Sequence, residues 1–379
     1  MTVARRWARH AGLAGAALGA VAAGVAVERL TVQRTLRRRA RLALDTAGPF
    51  GTLRGTPGTA VATDGTELYY EIDEIDEVDG VDGTGGGAAP AGTVVFCHGY
   101  CLNQDVWHFQ RAALRGRVRC VYWDQRSHGR SGRGAGLLPV TVDQLGRDLR
   151  AVLDAAVPRG PVVLVGHSMG GMTLMAFADL HPGYVAERVV GTAFVNTSSG
   201  GLSELTFGLP EQGAKVLVRM APAVLRALGS RPELVERGRR ATADLFTGLV
   251  RRYAFGSPDV DPAVVRFVER LIESVPVDVV AEFFPALAGH EKTAALAAFD
   301  TGSPALVITG GRDRMTPSSH GERIAARLRG AELVRLPGAG HLAMLEQPET
   351  VTAHLQRLVA RTIRTHGRDG RSPDHRGHP

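Results

Sequence analysis

Residues Val162–Val165 form a short apolar run that leads directly into Gly166-His167-Ser168-Met169-Gly170-Gly171. A buried strand that turns at once into a helix leaves no room for side chains beside the turn, so Gly166 and Gly170 stand where Cβ atoms would collide. The serine between them must accept a strained backbone, and in return its hydroxyl is lifted clear of the chain. The following helix starts at Met169, so its dipole and its first free N–H face any negative charge that develops beside Ser168. A bare G-x-S-x-G is common by chance in a chain with 47 glycines. The strand before it, the helix after it and the extra Gly171 give this one its meaning.

The rest of the chain supplies the matching elements. Short β-branched runs at Thr93–Cys97, Val118–Trp123, Pro161–Val165, Val189–Val195, Ala305–Thr309 and Glu332–Leu336 are bounded by Gly, Pro or Asp. That is the pattern of fully buried parallel strands. Helical spacing lies between or beside them at Val142–Val157, Met169–Leu180, Gly321–Leu328 and Glu349–Ile363. Alternation of this kind predicts an α/β fold, a mainly parallel sheet with helices on both faces. Ala60–Thr63 and Glu67–Ile72 flank Asp64-Gly65 and predict a leading hairpin. Residues 200–299 break the alternation with helical patches alone, at Ala214–Leu228, Pro232–Leu249, Pro262–Ser274 and Val277–Leu287. The expected organisation is a basic segment at 1–44, a linker at 45–58, a core at 59–199 and 300–365, a helical insertion at 200–299 and a disordered tail at 366–379. Residues 73–92, acidic and Gly-rich, read as a flexible loop.

A serine nucleophile needs a base, and His341 is the candidate. It ends Gly338-Ala339-Gly340-His341, just past the last apolar strand, where a Gly-rich loop can reach over the carboxyl edge of the sheet. The base needs an acid to orient it. Asp313 in Gly310-Gly311-Arg312-Asp313 follows another strand, and the order Ser…Asp…His runs along the chain. Val195-Asn196, after the preceding strand, offers no competing carboxylate. A second oxyanion donor, beside the Met169 N–H, is expected from Tyr100 in His98-Gly99-Tyr100. Asp124–Ser131 reads as a hydrogen-bonded turn bracing that loop. Cys97 and His98 lack a second ligand pair at metal spacing, so neither a metal nor any other cofactor is expected.

The net charge of +7 is not spread evenly. Residues 1–58 hold ten Arg against Glu28 and Asp45, and the tail adds +1, which leaves the middle at −2. No basic groove for nucleic acid is implied. Residues 11–27 are uncharged and rich in Ala, Gly and Val, enough for about 26 Å of helix. Three readings fit: a membrane anchor, a cleaved export signal after Arg5-Arg6, or a soluble helix. For an anchor, the arginines at 29–41 place the body on the cytoplasmic side. Three clustered cysteines, Cys97, Cys101 and Cys120, read as reduced thiols rather than a disulfide framework.

Gly166–Gly170, His98-Gly99, Asp124–Ser131, Gly310–Asp313 with Pro317, and Gly340-His341 together resemble the α/β-hydrolase family, in its lid-bearing branch. The likeness covers residues 60–363. It implies an eight-stranded, mostly parallel sheet, with 200–299 as a lid. In the family a Gly usually stands where this chain has Ser127. Relatives with an Asp nucleophile, the epoxide hydrolases and haloalkane dehalogenases, are argued against by Ser168. The resemblance implies an acyl-enzyme on Ser168 and a small, apolar, ester-like substrate. Cofactor-free haloperoxidases, C–C bond hydrolases and lactonases share the Ser pattern. A ligand-binding protein that has lost catalysis is the reading of another class.

Overall fold

The computed structural model describes residues 50–76, 92–134, 139–202 and 243–369. They build an eight-stranded sheet in the order β1-β2-β4-β3-β5-β6-β7-β8. β1 (Thr56–Val61) and β2 (Glu67–Asp73) form an antiparallel hairpin turning at Gly65, and β2 joins β4 (Arg119–Trp123) antiparallel. β3 (Thr93–Cys97), β5 (Val162–His167), β6 (Val189–Val195), β7 (Ala305–Gly310) and β8 (Glu332–Leu336) run parallel with β4. The α/β class and the mostly parallel eight-stranded sheet are thus those expected.

Each central strand divides its side chains between two apolar layers. Val94 and Phe96 of β3 join one layer with Val163 and Val165, while Val95 and Cys97 join the other with Val162 and Leu164. Alternation along a strand buried on both faces produces this division. Helices cover both layers: α1 (His108–Leu114), α2 (Val142–Ala156), α3 (Met169–Leu180), α4 (Pro182–Arg188), α8 (Ser318–Ala325), α9 (Ala343–Glu346) and α10 (Pro348–Asp369). Every residue of α3 from Met169 to Ala178 is buried, as its sequence, without a charge before Asp179, allows. Register matters for function. Cys97 pairs with Gly166, His167 with Val195, Val195 with Ile308 and Gly310 with Leu336, so the parallel strands end nearly level. The loops that follow them lie side by side on one edge.

Several boundaries differ from the expectation. β1 begins at Thr56, inside the segment read as a linker. Its Gly and Pro suggested a loop, but β1 is an edge strand, and Pro57 is tolerated where one side of the strand has no sheet partner. At the other end, a 3₁₀ segment at Thr293–Phe299 buries Ala295, Leu296 and Phe299 in the core layer, so the insertion gives way to the core before residue 300. α10 continues to Asp369, into the expected tail, where no proline interrupts it before Pro373. Within the insertion, α5 (Ala243–Ala254), α6 (Pro262–Glu273) and α7 (Val277–Ala288) are helices. The patch at 214–228 and the patch at 232–249 up to residue 242 lie outside the described residues, as do 77–91, 370–379 and the apolar run at 11–27. Among the described residues no helix is long and apolar enough to cross a membrane.

The turn after β4 is held by buried charge. Arg126 forks onto Asp148 of α2 at 2.5 and 2.7 Å and reaches Asp64 at 2.8 Å. Ser127 sits beside it at φ +64°, a left-handed backbone that costs a non-glycine residue about 1–2 kcal/mol. The turn therefore keeps its shape without glycine, at the expense of strain. Ser127→Gly should raise stability by about 0.5–1 kcal/mol after the added freedom of the unfolded chain is counted. A shift of the urea midpoint to higher concentration, with an unchanged slope, is the expected observation.

Candidate active site

Ser168 stands between β5 and α3 with φ +51° and ψ −118°. A Cβ on Gly166 would lie 2.7 Å from the Gly170 backbone, and one on Gly170 would lie 2.2 Å from the Cys97 carbonyl oxygen. Both glycines are therefore required by contact. The strained residue is held from two sides: its N–H donates to the Val195 carbonyl at 3.1 Å, and the Thr197 hydroxyl donates to its carbonyl at 2.6 Å.

The Ser168 hydroxyl lies 2.9 Å from Nε2 of His341, and Nδ1 of His341 lies 2.9 Å from Oδ2 of Asp313. An ionised Asp313 can only accept, so Nδ1 carries the imidazole proton and Nε2 is left to accept from the serine. Asp313 takes four further hydrogen bonds. The N–H groups of Met315 and Thr316 donate to Oδ1, and Asn196 Nδ2 and the Thr316 hydroxyl donate to Oδ2, all at 2.8–2.9 Å. Burial by itself would raise this carboxyl. The charge and hydrogen bond of His341, with the donors from Thr316 and Asn196, outweigh it and hold Asp313 below its ordinary range.

A model of the family described as "Alpha/beta hydrolase family" matches residues 94–354. The chain belongs to that family. It is 29% identical over 269 residues to the dihydrolipoyllysine-residue acetyltransferase component of an acetoin cleaving system from Pseudomonas putida, covering 69% of this chain and 62% of that protein. It is 31% identical over 139 residues to a monoacylglycerol lipase from Mycolicibacterium smegmatis, covering 36% of this chain and 48% of the lipase. The matched regions thus span less than two thirds of either relative's length. Among solved structures, a thermophilic esterase from Thermogutta terrifontis superposes with a TM-score of 0.61 over 81% of this chain and 99% of its own, at 23% identity, a likeness of fold.

The N–H groups expected as oxyanion donors are those of Tyr100 and Met169. Among the described residues, neither the Tyr100 nor the Met169 N–H donates to a protein acceptor. The loop bearing Tyr100 is braced from below. His98 Nδ1–H donates to the Gly99 carbonyl at 2.8 Å, and its Nε2 accepts from the Gln125 N–H at 2.9 Å. His128 repeats the device, accepting from the Cys101 N–H at 3.2 Å and donating to the Arg126 carbonyl at 2.9 Å. Each ring is thereby fixed as a neutral tautomer, and the turn at 124–131 does brace the neighbouring loop. From above, the Tyr100 hydroxyl donates to the Val280 carbonyl of α7, and its ring stacks on Phe283 at 6.3 Å. Cys97, Cys101 and Cys120 are free thiols.

Three contributors were not picked out from sequence. Thr316 stands three residues beyond Asp313, a spacing at which an Asp side chain caps its own turn. His167, inside the serine turn, donates from Nε2 to the His341 carbonyl at 3.0 Å. Asn196, noted only for lacking a charge, reaches both Asp313 and, at 3.1 Å, the Gly340 carbonyl. Its Oδ1 is buried without a partner among the described residues, which costs about 1–3 kcal/mol.

The buried histidines set the response to acid. Burial pushes His98 down to about 3 and His128 and His290 down to about 4, and drives His167 well below its ordinary value. The unfolded chain binds these protons near pH 6.5 while the folded chain refuses them, so stability falls as pH drops from about 6.5 toward 4. Each such residue contributes a slope of up to about 1.4 kcal/mol per pH unit. Asp124, raised by burial to about 6, works in the opposite sense. Urea midpoints measured at pH 7, 6 and 5 should decline steadily. Equal midpoints at pH 7 and 5 would show that these rings accept protons in the folded state.

Proposed function

We propose that this chain is a serine hydrolase that cleaves a small, apolar, ester-like substrate through an acyl-enzyme on Ser168. The continuous hydrogen-bonded chain Ser168–His341–Asp313, next to two unspent backbone N–H groups, carries the reading. In the acylation step His341 Nε2 takes the Ser168 proton as Oγ attacks the carbonyl carbon. The oxyanion accepts from the N–H groups of Tyr100 and Met169. His341 then gives its proton to the leaving alkoxide as the C–O bond breaks. Water, deprotonated by His341, attacks the acyl group and returns Ser168. Asp313, held ionised, keeps the imidazole in the required tautomer and balances the imidazolium charge. No cofactor enters these steps.

An apolar acyl group is favoured by what surrounds the nucleophile. Val275, Val279 and Phe283, in or beside α7, pack with Leu145, Met169 and Tyr100. The insertion thus acts as an apolar lid, and similarity to a monoacylglycerol lipase supports the same substrate class. Ser168→Ala should lower kcat/KM on p-nitrophenyl butyrate by at least about 10³-fold and abolish labelling by a fluorophosphonate. Undiminished turnover would sink the assignment. A wild-type protein that resists the probe would favour a ligand-binding role. Parallel assays with peroxide and with C–C cleavable diketones sort the reaction within the family.

We propose further that residues 11–27 tether the enzyme to a membrane with the catalytic body on the cytoplasmic side. Support comes from the sequence: residues 11–27 carry no charge and are flanked by arginines at 5–9 and 29–41. A substrate that partitions into lipid fits that arrangement. Full-length protein should sediment with membranes and be released by detergent, while a chain starting at residue 45 should stay in the supernatant. Full-length protein that is soluble without detergent would remove the tether.

A further inference from the structure

We infer that Asn196 is a positioning residue for the reaction proposed above, its amide locking Asp313 and the backbone bearing His341 into one register without adding a charge. The inference rests on the hydrolase reading of the same site. Asn196 follows β6, between the serine turn on β5 and the acid loop after β7. Its own N–H donates to the Ile308 carbonyl at 2.9 Å, which fixes its backbone against β7. From there one NH₂ group serves two acceptors, Asp313 Oδ2 at 2.8 Å and the Gly340 carbonyl at 3.1 Å. Gly340 precedes His341, so the acid and the base hang on the same nitrogen.

The position is an expensive one to maintain. Asn196 is 1% exposed, its φ is +44°, and its Oδ1 has no partner among the described residues. Asparagine tolerates left-handed backbone better than most residues, and its amide donates where a carboxylate cannot. An Asp here would set two carboxylates at hydrogen-bonding distance, and such pairs share a proton. An Ala would leave Asp313 and Gly340 each one donor short. The other titratable groups facing this cluster are His341 itself, His167 with its ring 4.9 Å away, and Glu346, which accepts from the Gly340 N–H at 2.7 Å.

The test uses full-length wild type, Asn196→Ala and the nearly isosteric Asn196→Asp. Fluorophosphonate labelling of Ser168, thermal melting, and kcat and KM on p-nitrophenyl butyrate from pH 5 to 9.5 are measured for each. Asn196→Ala should lose about 10- to 100-fold in kcat with KM changed less than threefold, the size expected for a misplaced catalytic group. In Asn196→Asp the carboxylate pair shares a proton at low pH, and loss of that proton on the way to neutral pH adds a negative charge that favours the protonated base, so the acid limb of its pH–rate profile should move to higher pH by half a unit or more. A purely structural residue would lower the melting temperature and leave the profile superimposable after scaling. Wild-type labelling with Asn196→Ala activity within twofold, or with an unmoved Asn196→Asp profile, overturns this inference alone. A wild type that is not labelled overturns the hydrolase reading and this inference together.

Discussion

Ser168 occupies a backbone conformation that an L-residue adopts only when its surroundings leave no alternative. The N–H is tied to β6, the carbonyl to Thr197, and the chain on either side is squeezed until only glycine fits at 166 and 170. Strain of about 1–3 kcal/mol is retained because strand and helix packing over-determine the turn. Everything at the site is arranged around the resulting outward hydroxyl. Among the described residues, two N–H groups without a protein acceptor belong to the neighbouring segments, Met169 of the helix that the turn begins and Tyr100 of the loop after β3.

Asp313 shows how the fold separates orientation from charge. A carboxyl so deeply buried would resist ionisation were it alone. Five donors reverse that balance, and only one of them is the base. The charge and hydrogen bond of His341 act with the donors from Thr316 and Asn196 to hold it below its ordinary range. The neighbouring histidines follow the opposite rule. His98 and His128 are buried as neutral rings whose two nitrogens are both hydrogen-bonded within the loops, and His167 is buried with its Nε2 on the His341 carbonyl, which leaves His341 as the ring hydrogen-bonded to the nucleophile.

The insertion meets the loop after β3 through Tyr100, whose phenol donates to the Val280 carbonyl of α7. Phe283 of the same helix meets both the Tyr100 ring and His128, at 6.3 and 5.0 Å. The loop bearing Tyr100 is therefore wedged between a rigid turn below and a helix of the insertion above. Its position depends on both.

Much of this was legible in the chain itself. The spacing of glycines around Ser168, the apolar run before it and the helix after it determine the turn, because local sterics admit few alternatives. The order of Ser168, Asp313 and His341, each just past the end of a strand, follows from the periodicity of those strands, although β8 before His341 buries only Leu336. The helices at 262–273 and 277–288 were readable from spacing alone. What tertiary structure decided was partnership. Thr56 and Pro57 became strand because β2 was there to pair with them. Asn196, dismissed as uncharged, became the donor shared by acid and base loops because β6 lies between β5 and β7. Hydrogen bonds between residues more than a hundred positions apart depend on strand order and register, and no local pattern encodes either. The sequence determined which groups stand at the strand ends, and the sheet decided which of them meet.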